Sequence, residues 1–255
     1  MIKAENISYS FGQNKILENV SMTANPGEVT VIAGSNGTGK STLLKNICGI
    51  LQGSGEVYIC GKNRDQYTRK ELSKKISYLS QFHNIDADIN VFEIVLLGRV
   101  NSLNYHVPQE EVERVWSTLK FLNIEQFANR KMTQLSGGQA QMVFIGQALI
   151  REPEILILDE PTNNLDMRYT FKILDLIQRL TREKKFTTVM VLHDQNLLER
   201  FSDKLIIIND GKIYDQGHPK DVLNHQMFKD VYHMNVKFYE TDEGFSTIVP
   251  ISPYK

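Results

Sequence analysis

The sequence lacks the features that define several large classes of protein. Its 255 residues include only two cysteines and one tryptophan, so neither a disulfide scaffold nor a cysteine-rich metal cluster is available. Cys48 and Cys60 have no metal-binding or redox spacing, and we expect them to pack as small hydrophobic residues in a reducing compartment. The net charge is −1. Because no overall basic field is present, no nucleic-acid partner is expected.

Long apolar runs are also missing. The longest, such as Leu205–Ile208, have the length of a strand, whereas crossing a bilayer takes about 20 apolar residues. The first residues, Met1–Asn6, have no basic cluster followed by an apolar stretch, so no signal peptide is predicted. Because 41% of the residues are hydrophobic and 23% are charged, the chain can bury a sizeable core. These observations predict a globular protein outside the bilayer.

A glycine-rich loop stands between a predicted strand, Val29–Ala33, and a predicted helix over residues 42–47. A strand, a glycine loop with Lys-Ser and then a helix form the phosphate-binding P-loop. Glycines let backbone N–H groups turn towards an anion, and the helix N-terminus adds partial positive charge. Lys40 can reach the β- and γ-phosphates, and Ser41 can bind Mg²⁺. The predicted nucleotide-binding residues are Gly34, Ser35, Asn36, Gly37, Thr38, Gly39, Lys40, Ser41 and Thr42.

A second apolar run, Ile155–Leu158, ends in two acidic residues, Asp159 and Glu160. Carboxylates at the carboxyl end of a parallel strand lie at the ligand edge of an α/β sheet. We therefore predict that Asp159 holds Mg²⁺ and that Glu160 polarises the attacking water. An isolated run of this kind is more often a solvated acidic loop, but the P-loop in the same chain favours the catalytic interpretation.

A second glycine-rich segment, Leu135–Gln139, precedes a helix predicted at about residues 140–150. Its helix N-terminus is a further potential phosphate site, although one chain needs only one such site for each nucleotide. The alternative is an ordinary helix N-cap formed by Ser136.

The order of these motifs resembles the ATP-binding subunit of ABC transporters. The P-loop, Gln81, Leu135–Gln139, the acidic strand, Asn164–Asp166 and His193 follow one another as in that family. The resemblance implies an ATPase with an α/β fold, in which a P-loop core carries an N-terminal antiparallel β subdomain and an inserted helical subdomain. We assign residues 1–81 and 151–240 to the core, 82–150 to the helical subdomain, and 241–255 to a C-terminal tail.

The resemblance also implies a homodimer and specific residue roles. Each ATP would lie between the P-loop of one subunit and four residues of the other, namely Ser136, Gly137, Gly138 and Gln139. Gln81 would contact Mg²⁺ and sense the membrane partner, Asp166 would communicate across the dimer, and His193 would contact the γ-phosphate and the attacking water. Phe11 stands where the family stacks an aromatic ring on adenine; the alternative is a half-buried strand aromatic.

A narrower resemblance concerns residues 90–99 and the C-terminal segments 231–236 and 248–250. They resemble ATPases of importers for iron-siderophores, haem and cobalamin. This implies polytopic permease subunits that dock near Gln81 and residues 82–106, an extracytoplasmic substrate-binding protein as an indirect partner, and a peripheral position on the cytoplasmic face of the membrane. Ala140, Met142 and Asn163 depart from the residues usual in the family.

Two other functions remain open at this point. A soluble ABC ATPase could act in assembly or regulation without transport, although residues 90–99 favour an importer. A P-loop kinase would leave the segment Leu135–Gln139 without a role. A metal site made of His218, His225 and His233 is not expected, because their spacing matches no usual ligand pattern.

Overall fold

The structure, a computed structural model, describes residues 1–81, 88–100 and 107–254. The chain forms two compact units. The first comprises Met1–Tyr67 and Gln178–Lys255, and the second comprises Thr68–Ile177. The predicted helical segment 82–150 falls within the second unit. Of the predicted docking segment 82–106, residues 82–87 and 101–106 lie outside the described residues.

The secondary structure alternates between strands and helices along most of the chain. In chain order, the strands are β1 (Ile2–Phe11), β2 (Asn14–Ala24), β3 (Val29–Ala33), β4 (Ser54–Ile59), β5 (Lys62–Asn63), β6 (Ile76–Leu79), β7 (Ile155–Asp159), β8 (Thr187–Val191), β9 (Lys204–Asn209), β10 (Lys212–Gly217), β11 (Met234–Glu240) and β12 (Ser246–Pro253). The helices are α1 (Lys40–Ile47), α2 (Arg69–Lys75), α3 (Val91–Leu97), α4 (Gln109–Phe121), α5 (Gly137–Leu149), α6 (Met167–Lys184), α7 (Gln195–Phe201), α8 (Pro219–Val222) and α9 (His225–Tyr232).

In the first unit, the N-terminal strands form an antiparallel sheet in the order β2-β1-β4-β5. β1 pairs with β2 from Ile2 opposite Ala24, and with β4 from Ile2 opposite Ile59. Buried and less buried residues alternate along β1 and β2, so that one face of this sheet packs on the core. The antiparallel β subdomain expected from the resemblance is therefore confirmed.

The first unit also contains parallel strands that carry the glycine loop. β3 lies between β8 and β9, with Val31 opposite Met190 on one side and opposite Leu205 on the other. Every residue of β3 and β8 is buried, as expected for a parallel strand covered on both faces. Because parallel strands end at the same edge, the segments that follow β3 and β8 emerge side by side.

The C-terminal part of the first unit is folded. β11 and β12 form an antiparallel hairpin in which Phe238 lies opposite Ile248. The segment 241–255, which the sequence analysis assigns to a C-terminal tail, therefore contains the strand β12. One sequence-based expectation was wrong here: Cys60 is exposed and lies in a turn with a φ of 51°. It precedes Gly61 between two strands, so its side chain does not reach the core.

The second unit combines a parallel strand pair with helices. β6 and β7 pair from Ile76 opposite Ile155 to Leu79 opposite Leu158. The helices α3 and α4 belong to this unit. Arg99, just after α3, forms a bidentate ion pair with Glu111 of α4 at 2.7 and 2.8 Å, and this hydrogen bonding lowers the pKa of the Glu111 carboxyl. Across the described ranges, no helix has the length and hydropathy of a membrane crossing.

Candidate functional site

The glycine loop between β3 and α1 has a backbone that only glycine allows at two points. Gly34 has a φ of 141°, and a Cβ there would lie 2.1 Å from the carbonyl oxygen of Ile208. Gly39 has a φ of 98°, and its Cβ would lie 2.8 Å from the carbonyl oxygen of Ile16. Any side chain at either position would therefore displace backbone. The glycines of the motif thus serve the close packing of this loop against its own unit.

Lys40 is almost fully buried, with 5% exposure. Its Nζ donates to the carbonyl oxygens of Gly34 at 3.0 Å and Ser35 at 2.6 Å. Thr38 Oγ1 donates to the same Ser35 carbonyl at 2.9 Å. The N-cap residue of α1 is Gly39, which has no side chain and makes no side-chain cap. The N-cap residue therefore does not cover the first N–H groups of the helix, which can bind an anion. Ser41 and Thr42 follow in the first helical turn.

A cleft of about 430 Å³ opens beside the outer part of the loop. Residues 35–38 form one wall, and the others are formed by Lys15, Ile16, the turn at residues 209–211, Asp230 and His233. Phe11, at the end of β1, is 66% exposed, and its ring meets Tyr9 edge to face at 5.7 Å. The half-buried alternative for Phe11 is therefore wrong, and adenine stacking stays a prediction. His193 is exposed just after β8, at the same strand edge as Gly34.

In the second unit, the structure brings Gln81 into contact with the acidic end of β7. Asp159 is 3% exposed, and its Oδ2 accepts from the hydroxyl of Tyr78 at 3.2 Å. Glu160 has a φ of 53°, and its Oε2 accepts from Gln81 Nε2 at 2.5 Å. Two of the three residues expected at the metal, Gln81 and Asp159, thus lie at the ends of adjacent parallel strands.

Asn163, one of the positions where the sequence departs from the residue usual in the family, is a further functional candidate. Its Nδ2 donates to Glu160 Oε2 at 3.1 Å. The carboxylate therefore receives two amide donors on one oxygen, which fixes its orientation. The sequence feature that could have indicated this role is an amide side chain three residues after Glu160, within the turn that follows β7.

The second glycine-rich segment forms a capping box. Ser136 Oγ accepts from the backbone N–H of Gln139 at 3.4 Å, and Gln139 Oε1 accepts from the N–H of Ser136 at 3.0 Å. The N-cap interpretation is therefore confirmed, and α5 begins at Gly137, earlier than the predicted start near residue 140. Ser136 and Gly137 are exposed, which leaves this turn accessible to another molecule.

Gly138, unlike Gly137, is enclosed by its own unit. A Cβ on Gly138 would lie 2.3 Å from the ring of Tyr169, whereas the nearest atom to a Cβ on Gly137 is 3.6 Å away. We expect Gly138→Ala to lower the free energy of unfolding by about 1–3 kcal/mol through overpacking. Gly137→Ala is the matched control, and its melting temperature should stay the same or rise slightly, because alanine favours a helix. Equal melting temperatures for both variants would contradict this packing argument.

Asp166 is the N-cap residue of α6. Its Oδ1 accepts from the backbone N–H of Tyr169 at 2.8 Å, and its carbonyl accepts from Thr170 at 2.9 Å. It therefore caps the start of α6 while remaining exposed. A role across a dimer stays a prediction.

The donor atoms fit Mg²⁺ rather than a transition metal. Ser41, Gln81 and Asp159 supply hydroxyl, amide and carboxylate oxygens, the hard ligands that Mg²⁺ takes together with water. Within the described residues, no group of three or more His, Cys, Asp or Glu side chains could hold a metal. His218 Nδ1 accepts from the N–H of Lys220, and the His225 ring packs on Phe238.

Comparison with known proteins identifies the family of the chain. The family model for "ABC transporter" matches residues 17–163. The petrobactin import ATP-binding protein YclP of Bacillus subtilis is 32% identical over 243 residues, which cover 95% of this chain and 96% of the relative. A chain from an ABC transporter assigned to the metal-chelate type, in an inward-facing conformation, has a TM-score of 0.86 at 25% identity, covering 98% and 97%. The dimeric ATP-binding cassette MJ0796, bound to ADP and Pi, has a TM-score of 0.75 at 33% identity, covering 86% and 99%.

Proposed function

Because this chain belongs to the ABC transporter family of ATP-binding proteins and is an ATPase, we propose that it powers an importer of a metal chelate. Within the chelates expected from the sequence, iron-siderophore complexes are favoured over haem and cobalamin. The observation that carries this proposal is the full-length similarity to a petrobactin import ATP-binding protein. The likeness to a metal-chelate type transporter chain supports it.

The P-loop unit would bind the nucleotide. Residues 34–42 would surround the phosphates, with Lys40 directed to the β- and γ-phosphates and the exposed ring of Phe11 stacked on adenine. Ser41, Gln81 and Asp159 would hold Mg²⁺. The ion, when bound, supplies charge neutralisation of the phosphate oxygens. The buried position of Lys40 supports its part, because its charge would act in a medium that screens it weakly.

Glu160 would act as the general base. Its carboxylate accepts the amides of Gln81 and Asn163 on Oε2, which orients it, and it would take a proton from the attacking water. His193 would contact the γ-phosphate and the attacking water. The amide pair would keep Glu160 aimed while the proton moves to it.

A second copy of the chain would complete each ATP site. The exposed turn of Ser136 and Gly137, together with Gly138 and Gln139, would bind the nucleotide held by the partner's P-loop, and Asp166 would lie near the same interface. The dimeric cassette structure of a relative supports this proposal. Nucleotide binding would then favour the closed dimer, and hydrolysis would reopen it.

The membrane partner would dock on the second unit. Several large apolar side chains near the described part of the predicted docking segment are exposed, namely Leu97, Val100, Val107, Trp116 and Phe121. Large apolar side chains that stay exposed are candidates for a protein interface. Polytopic permease subunits would cover them near Gln81 and residues 82–106, on the cytoplasmic face of the membrane. An extracytoplasmic substrate-binding protein would act through the permease.

Co-purification with the permease tests the importer proposal. We expect the tagged wild-type chain to retain a polytopic membrane protein after mild detergent extraction, and Leu97→Asp with Val100→Asp to lose it. Ile251→Asp is the matched control, because Ile251 is 54% exposed on the β12 hairpin and should not affect retention. Fully regulated ATPase activity in a membrane-free preparation, with no membrane protein retained, would instead favour the soluble assembly or regulatory factor.

A further inference from the structure

The helix that follows His193 is bonded to the last strand of the chain. The next residue, Asp194, caps α7, because its Oδ1 accepts from the backbone N–H of Asn196 at 3.0 Å. The side chain of Asn196 bonds in turn to β12. Its Oδ1 accepts from the N–H of Ile248 at 2.7 Å, and its Nδ2 donates to the carbonyl oxygen of Ile248 at 3.4 Å. The first turn of α7 therefore contacts a strand that lies 52 positions further along the chain.

A second side chain of α7 bonds to the same strand one turn later. Glu199 Oε2 accepts from the backbone N–H of Ser246 at 3.0 Å. The Glu199 side chain is 6% exposed, and its Oε1 lies 3.7 Å from Nζ of Lys220. That Nζ also donates to the carbonyl oxygen of Gly244, in the loop between β11 and β12, at 3.1 Å. Because a buried charge is costly unless it is paired and hydrogen-bonded, these contacts favour one position of α7 against the hairpin.

The geometry of β12 explains why the two contacts occur together. The hairpin has only two strands, so each strand has an edge whose N–H groups find no strand partner. Ser246 and Ile248 are two positions apart, and alternate residues of a strand direct their N–H groups to the same edge. Asn196 and Glu199 are three positions apart and lie on one face of the helix. The helix α7 thus gives this edge of β12 the hydrogen-bond partners that a further strand would give it.

We infer that the β11–β12 hairpin sets the position of His193 through α7, and that Asn196 is the positioning residue of this contact. Asn196 lies three residues after His193, in the first turn of the helix, so a shift of this turn would displace the imidazole. The inference rests on the proposed role of His193 at the γ-phosphate and the attacking water. It gives the C-terminal hairpin a part in the rate of hydrolysis, in addition to its packing.

Removal of the Asn196 amide tests the inference. We expect Asn196→Ala to lower kcat for ATP hydrolysis about 3- to 10-fold, the range for loss of one net hydrogen bond, because His193 would be less often in its reactive position. KM for MgATP should change less than about 2-fold, since no group proposed to bind the nucleotide is altered. Asn196→Asp keeps the acceptor of the shorter bond, so its kcat should lie between that of the alanine variant and that of the wild type.

The matched control is Asn235→Ala. Asn235 lies on β11, and its Nδ2 donates to Ser252 Oγ at 3.1 Å and to the carbonyl oxygen of Pro253 at 3.3 Å. This variant therefore also removes an asparagine amide that bonds to β12, but it leaves the bonds between β12 and α7 in place. Its kcat should stay at the wild-type value.

A second comparison distinguishes the positioning of His193 from a general loss of stability. In a His193→Ala background, the rate of single-turnover hydrolysis should be the same with and without Asn196→Ala, because two changes that act through one group are not additive. If Asn196 served only stability, its removal would lower the fraction of folded protein, and hence the rate, in both backgrounds.

Three results would overturn the inference: wild-type kcat in Asn196→Ala, an equal loss of kcat in Asn235→Ala, or a further loss of rate when Asn196→Ala is added to His193→Ala. The single variant His193→Ala separates the inference from the proposed function. Wild-type hydrolysis in His193→Ala would reject the proposed role of His193 itself. Slow hydrolysis there, together with wild-type kcat in Asn196→Ala, would reject only the positioning role.

Discussion

Glu160→Gln is expected to bind ATP at near wild-type affinity and to hydrolyse it about 10²- to 10⁴-fold more slowly, the range for loss of a general base. The geometry explains why binding should survive. Both amide donors, from Gln81 and Asn163, reach the same carboxylate oxygen, Oε2, and a glutamine carbonyl oxygen can accept both. The substitution can therefore keep these two hydrogen bonds, while it replaces the basic carboxylate with a neutral amide that cannot take the proton.

The measurements are nucleotide binding, phosphate release and molecular mass in solution. We expect a stable dimer with ATP, since closure would no longer be followed by hydrolysis. Glu154→Gln is the control, because Glu154 is an exposed acid of the same unit that pairs with Lys75 away from the site, and it should hydrolyse ATP normally. Wild-type turnover in Glu160→Gln would reject Glu160 as the base.

Ser136→Arg is expected to spare ATP binding by the monomer and to abolish ATP-dependent dimerisation and hydrolysis. Ser136 is exposed at the N-terminus of α5, so a long cation there would occupy the surface proposed to meet the partner's nucleotide. Its charge would also oppose the positive end of the helix. Binding should survive because the substitution changes none of the residues proposed to bind the nucleotide within the same subunit.

In Ser136→Arg, the effect of losing the helix cap must be distinguished from the effect of blocking the dimer interface. Arginine cannot accept the Gln139 N–H, so the variant also forfeits a cap that is typically worth about 0.5–2 kcal/mol, and its melting temperature should fall slightly. Ser117→Arg, an exposed position on α4, controls for the added charge and should dimerise with ATP. ATP-dependent dimers of Ser136→Arg with normal turnover would show that the proposed sandwich is wrong.

Several features could be predicted because their causes are local. Apolar runs of four or five residues predict buried strands such as β3 and β7. Glycines at the loop and a serine three residues before Gln139 predict turns and caps from backbone geometry alone. The order of these motifs then identifies the family, and with it the antiparallel β subdomain.

Other features depend on contacts between distant residues, which no local pattern records. Gln81 and Glu160 are 79 positions apart and meet because β6 and β7 pair in parallel. The ring of Tyr169 makes a glycine necessary at position 138 but not at 137. The exposure of Cys60 likewise follows from a turn that the small size of cysteine does not predict.

The sequence by itself thus determined the chemistry of this protein: a phosphate loop, a strand ending in acids, and a capped glycine turn that identify an ATPase of the ABC transporter family. Only the tertiary structure decided how those groups are held. It placed Asn163 and Gln81 on one oxygen of Glu160, and the carbonyl of Val231 against Ser35 of the P-loop. The physical reason is that a motif specifies backbone over a few residues, whereas the orientation of a side chain depends on hydrogen bonds and packing from segments far along the chain.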